Sequence, residues 1–153
     1  MKPVDIQEQY DKIYRYCYYK VGNSVSAEDL TQETFLKYFM QNSYIEHGKK
    51  LAYLYTIARN LCMDFFRKVQ PETLDDDVPD ADYFENMELS LALRQALKKL
   101  PEQEQELLLL RHANELSVGE IASVMGISRF AVYRRTNTAV AALRKSFREE
   151  DFR

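Results

Sequence analysis

Two sets of side chains in this chain have the types and spacing to do chemistry on nucleic acid. The first is Arg129, Phe130, Tyr133, Arg134 and Asn137. At about 100° per residue these five share one helix face, while Val132, Thr136, Ala139 and Leu143 share the other. Guanidinium forks and a side-chain amide read guanine and adenine edges bidentately in a major groove, and the two rings share that face. For any one of these residues a plain solvated face is an equal reading; the ensemble favours DNA. The second set is Tyr53, Thr56, Asn60, Asp64 and Arg67, with Lys68 adjacent. Rings interleaved with amides and cations suit unstacked single-stranded bases, each stacked base being worth roughly 1–3 kcal/mol. Tyrosines on helices more often pack, however, and Arg59 and Arg67 could equally pair with nearby acids.

No catalytic constellation stands beside them. His47 and His112 are far apart and lack a ligand partner nearby, and no glycine-rich phosphate loop occurs. No nucleophile has a base at recognisable spacing, so neither an enzyme nor a cofactor or metal is expected. Cys17 and Cys62 read as reduced, small core residues. Without a signal peptide or a long apolar span, the expectation is a soluble, cytoplasmic protein with no membrane insertion.

The element that must position the first set is Ser117–Arg135. Ser117 with Glu120 is a capping-box opening, so a helix should start at Val118, with Ile121, Ala122, Val124 and Met125 on its apolar side. Gly126 supplies the positive-φ turn that stops it, Ile127 plugs the corner, and Ser128 caps a second helix. Two helices meeting at roughly 90–120° need a thin contact point, which small Ala122 provides. Each part of a helix-turn-helix is in place.

The whole chain has 153 residues, is 46% hydrophobic, and holds four glycines and no tryptophan. Strand-like alternation is scarce, so an all-α protein of two small helical domains is expected. Net charge is −3, an odd value for a DNA binder until it is divided along the chain. Residues 1–70 carry ten basic and eight acidic side chains, residues 71–91 none and eight, and residues 92–153 eleven and eight. Neither basic block has the charge density to hold duplex tightly alone, since affinity scales with phosphates neutralised. A larger partner is expected to supply the rest.

Asp5–Val21 reads as a helix with Ile6, Tyr10, Ile13, Tyr14, Cys17 and Val21 on one side, ended by Gly22–Asn23. Ser26 is the expected cap of a second helix, Ala27–Met40, with Ala27, Leu30, Thr34 and Tyr38 inward. Asp29, Gln32, Glu33 and Leu36 then share the outward face, either plain surface or a dock for a basic helix. After a polar loop over 41–50, Leu51–Lys68 forms a third helix with Leu54, Ile57, Ala58, Leu61 and Phe65 inward. Gln70–Glu85 holds two prolines, five aspartates and two glutamates, a self-repelling linker that is disordered when free. Helix resumes over Met87–Leu100, with Leu89, Leu93, Ala96, Leu97 and Leu100 apolar. Pro101 opens the next helix, Leu107–Leu110 is a buried run, and His112 sits on the surface or at a helix end. In the tail Leu143 and Phe147 face inward and Arg144, Lys145 and Arg148 outward, where the cations could touch phosphates. The boundaries are thus 1–69, 70–86 and 87–153.

Three segments in this order resemble one family. AEDLTQETFLKYF (Ala27–Phe39), LAYLYTIARNLCMDFFRK (Leu51–Lys68) and LKKLPEQEQELLLLRHANELSVGEIASVMGIS (Leu97–Ser128) are similar to the extracytoplasmic-function sigma factors of bacterial RNA polymerase, of the sigma-70 family. The resemblance covers nearly the whole chain. It implies that 1–69 is domain 2, binding core polymerase and the −10 element, and that 87–153 is domain 4, binding the −35 element. It places Asp29, Gln32, Glu33 and Leu36 against core polymerase. It sets Tyr53, Thr56, Asn60, Arg67 and Lys68 on the melted −10 strand, with Asn60 lining a flipped-base pocket. In the family the linker runs toward the RNA exit path, and most members have an anti-sigma partner, so promoter DNA, core polymerase and an anti-sigma factor are the implied partners. Tyr53 stands where tryptophan is common, Phe130 where glycine is usual, and Tyr133 where lysine or arginine is usual. Thr136 replaces a leucine, and Asn137 and Thr138 a basic or aromatic residue. Arg135 matches a recurrent arginine and is expected to pair with Glu120. The alternatives are a stand-alone helix-turn-helix regulator binding operator DNA as a dimer, and an adaptor that holds only proteins.

Overall fold

The computed structural model describes residues 5–40, 50–68 and 90–151, with side chains of the last helix described through Ser146. Every regular element among them is helical, and the chain divides into two units, Met1–Tyr83 and Phe84–Arg153. The acidic segment 70–86 lies outside the described residues. So do the loop 41–49 with His47 and Lys49, the positions Met87 and Leu89, and the side chains of Phe147 and Arg148.

The first unit is a bundle of α1 (Ile6–Val21), α2 (Ser24–Met40) and α3 (Lys50–Lys68). Asp5 caps α1 by accepting the Glu8 N–H at 3.2 Å. Gly22, at φ 72°, closes it by donating to the Tyr18 carbonyl at 2.8 Å. The second helix begins at Ser24 rather than Ala27, because Asn23 takes the cap expected of Ser26. Its side-chain oxygen accepts the Ser26 N–H at 3.0 Å, so Ser26 is already inside the helix.

Ile13, Cys17, Ala27, Leu30, Leu54, Ala58 and Leu61 are buried as their spacing predicts. Ile6, Tyr10, Tyr14 and Phe65 reach only half-burial. Gln9, Tyr16 and Tyr55 occupy the core instead: the Tyr55 hydroxyl donates to Gln9 Oε1 at 3.0 Å, and its ring meets Tyr16 edge to face at 5.9 Å. Thr31 and Thr34 are fully buried without penalty, since their hydroxyls donate to the Ala27 and Leu30 carbonyls at 2.6 and 2.7 Å. Cys17 and Cys62 are both buried and neither forms a disulfide. A hydrogen bond with Cys62 holds the Cys17 thiol below its ordinary range, against the opposing effect of burial.

The second unit holds α4 (Leu91–Lys98), α5 (Glu102–Leu108), α6 (Val118–Met125) and α7 (Arg129–Asp151). Ser90 caps α4 through the Leu93 N–H at 3.2 Å. The Gln105 amide donates to the Lys98 and Leu100 carbonyls at 3.1 and 2.7 Å, which ties the end of α4 to α5. Beyond Leu108 the helix widens into a π turn, Leu109–Ala113, where the Asn114 N–H donates to the Leu109 carbonyl at 3.1 Å. Leu107 through Leu110 are buried, as is Leu116 after the turn, whereas His112 is exposed. Buried Glu106 breaks the apolar pattern of its surroundings. Leu97, Leu107, Leu110, Leu116, Ile121 and Val132 form the core on which the two helices of the helix-turn-helix rest.

Candidate DNA- and polymerase-binding surfaces

In the second unit the start of α6 and the turn between α6 and α7 are set by four short-range bonds. Ser117 Oγ accepts the Glu120 N–H at 3.1 Å and Glu120 Oε1 accepts the Ser117 N–H at 2.8 Å, a complete capping box. Gly126, at φ 68°, ends α6 with its N–H donating to the Ala122 carbonyl. The Ala131 N–H then donates to Ser128 Oγ at 3.0 Å and starts α7. Ile121, Ala122 and Val124 are the buried residues of α6.

All five residues expected on the reading face of α7 are exposed: Arg129, Phe130, Tyr133, Arg134 and Asn137. Phe130 keeps 72% of its surface in solvent and Tyr133 58%, although both are large rings. The Arg134 guanidinium carbon lies 5.8 Å from the centre of the Phe130 ring, within cation–π range. On the opposite face Val132 and Ala139 are buried and Thr136 and Leu143 half-buried. Arg129 extends back over Gly119, where a β-carbon would come within 2.9 Å of Nη2. Arg144 and Lys145 are exposed farther along the same helix.

Arg135 does not pair with Glu120 as expected. Its Nη1 donates to Gln103 Oε1 at 3.1 Å and ties α7 to α5. The Glu120 carboxylate is already engaged by the Ser117 N–H at 2.8 Å, only three positions away at the start of its own helix. Gln103 was invisible as a partner in the sequence because thirty-two positions separate it from Arg135.

In the first unit Asp29, Gln32, Glu33 and Leu36 are all exposed on α2, Leu36 by 60%. Gln32 donates to Glu28 Oε1 at 3.2 Å, and Glu33 stands 4.0 Å from Lys37. The structure adds three apolar neighbours that the sequence reading passed over: Val25, Phe39 and Met40 are more than half exposed on the same helix. Their signal was present in the spacing, since Val25, Asp29, Gln32, Leu36 and Phe39 follow the alternating four- and three-residue steps of a coiled-coil seam.

The α3 face is less uniform. Asn60, Arg67 and Lys68 are exposed, but Tyr53 is half-buried, its ring 6.0 Å from that of buried Tyr38. Thr56 is also half-buried and donates its hydroxyl to the Ala52 carbonyl at 2.8 Å. Arg67 pairs with Asp64 at 3.3 Å in solvent, a contact of small worth that a phosphate could displace. Exposed Phe66 and Met63 flank this face and were not anticipated.

The Sigma-70 region 2 family matches residues 6–72, the span of α1 to α3, and the Sigma-70, region 4 family matches residues 90–143, which hold the helix-turn-helix. The chain is 32% identical over 165 residues to the ECF RNA polymerase sigma factor SigW of Bacillus subtilis, across 95% of this chain and 87% of that one. The chain belongs to the ECF RNA polymerase sigma factors. This sigma factor is also 37% identical to the ECF RNA polymerase sigma factor BldN of Streptomyces coelicolor, over 90% of its own length and 57% of that relative's. Its fold is that of the sigma factor RpoE in the complex with the anti-sigma factor NepR from Bartonella quintana. There the TM-score is 0.68, with 23% identity and 95% of each chain covered. As a sigma factor it directs bacterial RNA polymerase to promoters and initiates transcription. Among the described residues no helix is long and apolar enough to cross a membrane.

Proposed function

We propose that the two units divide promoter recognition between them. Residues 1–69 act as domain 2, residues 87–153 as domain 4, and residues 70–86 as the tether joining them. Arg129, Phe130, Tyr133, Arg134 and Asn137 contact the −35 element as duplex, the first turn of α7 lying in the major groove. The observation that carries this reading is the simultaneous exposure of all five on one helix, just after the Gly126 turn.

Asp29, Gln32, Glu33 and Leu36 bind core polymerase, aided by Phe39 and Met40. An acidic and apolar row of this kind fits a helix pair that is basic at its rim. Tyr53, Thr56, Asn60, Arg67 and Lys68 hold the unpaired −10 strand. Asn60 and the two cations serve this role directly, while Tyr53 offers one edge of its ring. Binding energy realised only on the open strand then drives strand separation. The protein performs no catalytic step of its own and needs no cofactor, and it works in the bacterial cytoplasm. The related RpoE is solved with the anti-sigma factor NepR, and an anti-sigma factor is proposed here as a third partner.

The deciding experiment mixes the full chain with core polymerase and a library of promoter fragments. Promoter-specific initiation that depends on the added chain is the expected result. Tight, specific operator binding by the chain alone as a dimer, with no response from polymerase, would establish the stand-alone regulator instead.

A further inference from the structure

We infer that Phe130 reads the C5-methyl group of a thymine in the −35 element, so that this sigma factor selects its promoters partly through apolar contact. The inference rests on the reading of α7 as the duplex-contacting helix and goes beyond it by assigning a base chemistry to one side chain.

Phe130 is the second residue of α7, and the first turn of a recognition helix is the part that reaches base edges. Its ring is 72% exposed, more than any other large apolar side chain among the described residues. Nothing in its own unit covers it: the helix face opposite, carrying Val132 and Ala139, makes the core contacts. An exposed phenyl ring between two arginines has a narrow choice of partners. Arg129 and Arg134 favour a polyanion, yet a phenyl ring gains nothing from phosphate. It can neither donate to nor accept from the polar base edges, and facing them it would strip their water without replacement. In the major groove one base carries an apolar group, the thymine methyl, and phenylalanine is among the side chains that meet it.

Arg134 adds a positional argument. Its guanidinium rests 5.8 Å from the Phe130 ring centre, one helical turn on, so ring and charge project from the helix together. Tyr133 stands beside them, 58% exposed, and widens the apolar surface. A site of this composition grips the backbone through its cations while the ring tests for a methyl group.

The test uses the holoenzyme formed from the full chain and core polymerase. A duplex selected by that holoenzyme from a pool randomised across the −35 region is resynthesised with deoxyuridine replacing each thymine in turn. Deoxyuridine keeps every hydrogen-bonding group and removes only the methyl. At one position, binding is expected to weaken about fourfold, the worth of one methyl group withdrawn from water. The Phe130→Ala holoenzyme is expected to bind the thymine and deoxyuridine duplexes equally, and Phe130→Leu to restore part of the preference. Indifference of the unsubstituted holoenzyme to deoxyuridine at every position would overturn the inference while leaving the sigma-factor function intact. So would a preference that persists undiminished in Phe130→Ala. If Phe130→Ala instead weakens assembly with core polymerase and leaves the base preference unchanged, the ring serves a protein partner and the inference fails. Selection of no sequence at all from the pool would sink the duplex-reading role of α7 itself, a separate and earlier failure.

Discussion

Arg129 lays its guanidinium across Gly119, close enough that a β-carbon there would stand 2.9 Å from Nη2 and 3.3 Å from Cζ. The second residue of α6 is thereby the seat of the first residue of α7. Gly119→Ala should push the flexible end of Arg129 aside while improving the helix propensity of α6, by up to about 1 kcal/mol. Stability measured by urea unfolding is expected to hold or rise. Promoter affinity of the holoenzyme is expected to fall several-fold. A loss of stability with unchanged affinity would show that Arg129 makes no DNA contact from this seat.

The bond from Arg135 to Gln103 at 3.1 Å predicts a stability phenotype. Arg135→Ala and Gln103→Ala should each cost about 0.5–1 kcal/mol, because the bond is exposed and exchanges with water. That lowers the melting temperature by about 4 °C for a unit of this size. The double substitution should cost little more than either single one. Additive effects would mean that the two side chains are not coupled.

In the first unit the Tyr55 hydroxyl satisfies Gln9 at 3.0 Å inside the core. Tyr55→Phe keeps the ring against Tyr16 but leaves the Gln9 oxygen without that donor, at a cost of about 1–3 kcal/mol. Gln9→Leu in the same background should recover part of it, since an apolar pair needs no donor. Urea midpoints of the two variants and the unsubstituted chain check both statements.

Tyr10 provides a pH dependence. Burial first, and then the bond from its hydroxyl to Glu28 Oε1 at 2.9 Å, raise this phenol above its ordinary value of 10.0. A folded-state pKa above the unfolded one means that the contribution is complete below pH about 10 and is lost as pH rises through the folded value. Burial raises Tyr14 and Tyr38 in the same direction. Melting temperatures recorded from pH 9 to 11.5 should therefore fall at the alkaline end. Tyr10→Phe should fall less steeply than the unsubstituted chain; identical slopes would remove Tyr10 from the account.

Leu36, 60% exposed between Glu33 and Lys37, has no packing role to lose. Leu36→Asp is expected to leave the thermal midpoint unchanged and to weaken binding to core polymerase by about tenfold, the effect of one central interface side chain. Competition against a second sigma factor for limiting core polymerase would measure this. An unaffected affinity would place the polymerase contact elsewhere on the chain.

What the sequence alone determined is what depends on neighbours within about four residues. The Ser117–Glu120 capping box, the Gly126 stop, the Ser128 cap and the exposed five-residue face of α7 all follow from local hydrogen bonding and helix periodicity, and all are legible as strings of letters. The same applies to the inward positions of α2 and, except for half-buried Phe65, of α3. Three matters were decided only by tertiary structure. Whether Arg135 meets Glu120 or Gln103 depends on which helix the bundle brings alongside α7, and the nearer acid was already taken by its own cap. Burial of Gln9 depends on Tyr55, forty-six positions away, arriving with a hydroxyl to satisfy it. The seat of Arg129 over Gly119 depends on the angle at which α6 and α7 cross. Side chains many residues apart in the chain meet through packing, and packing is a property of the assembled helices that no single helix carries.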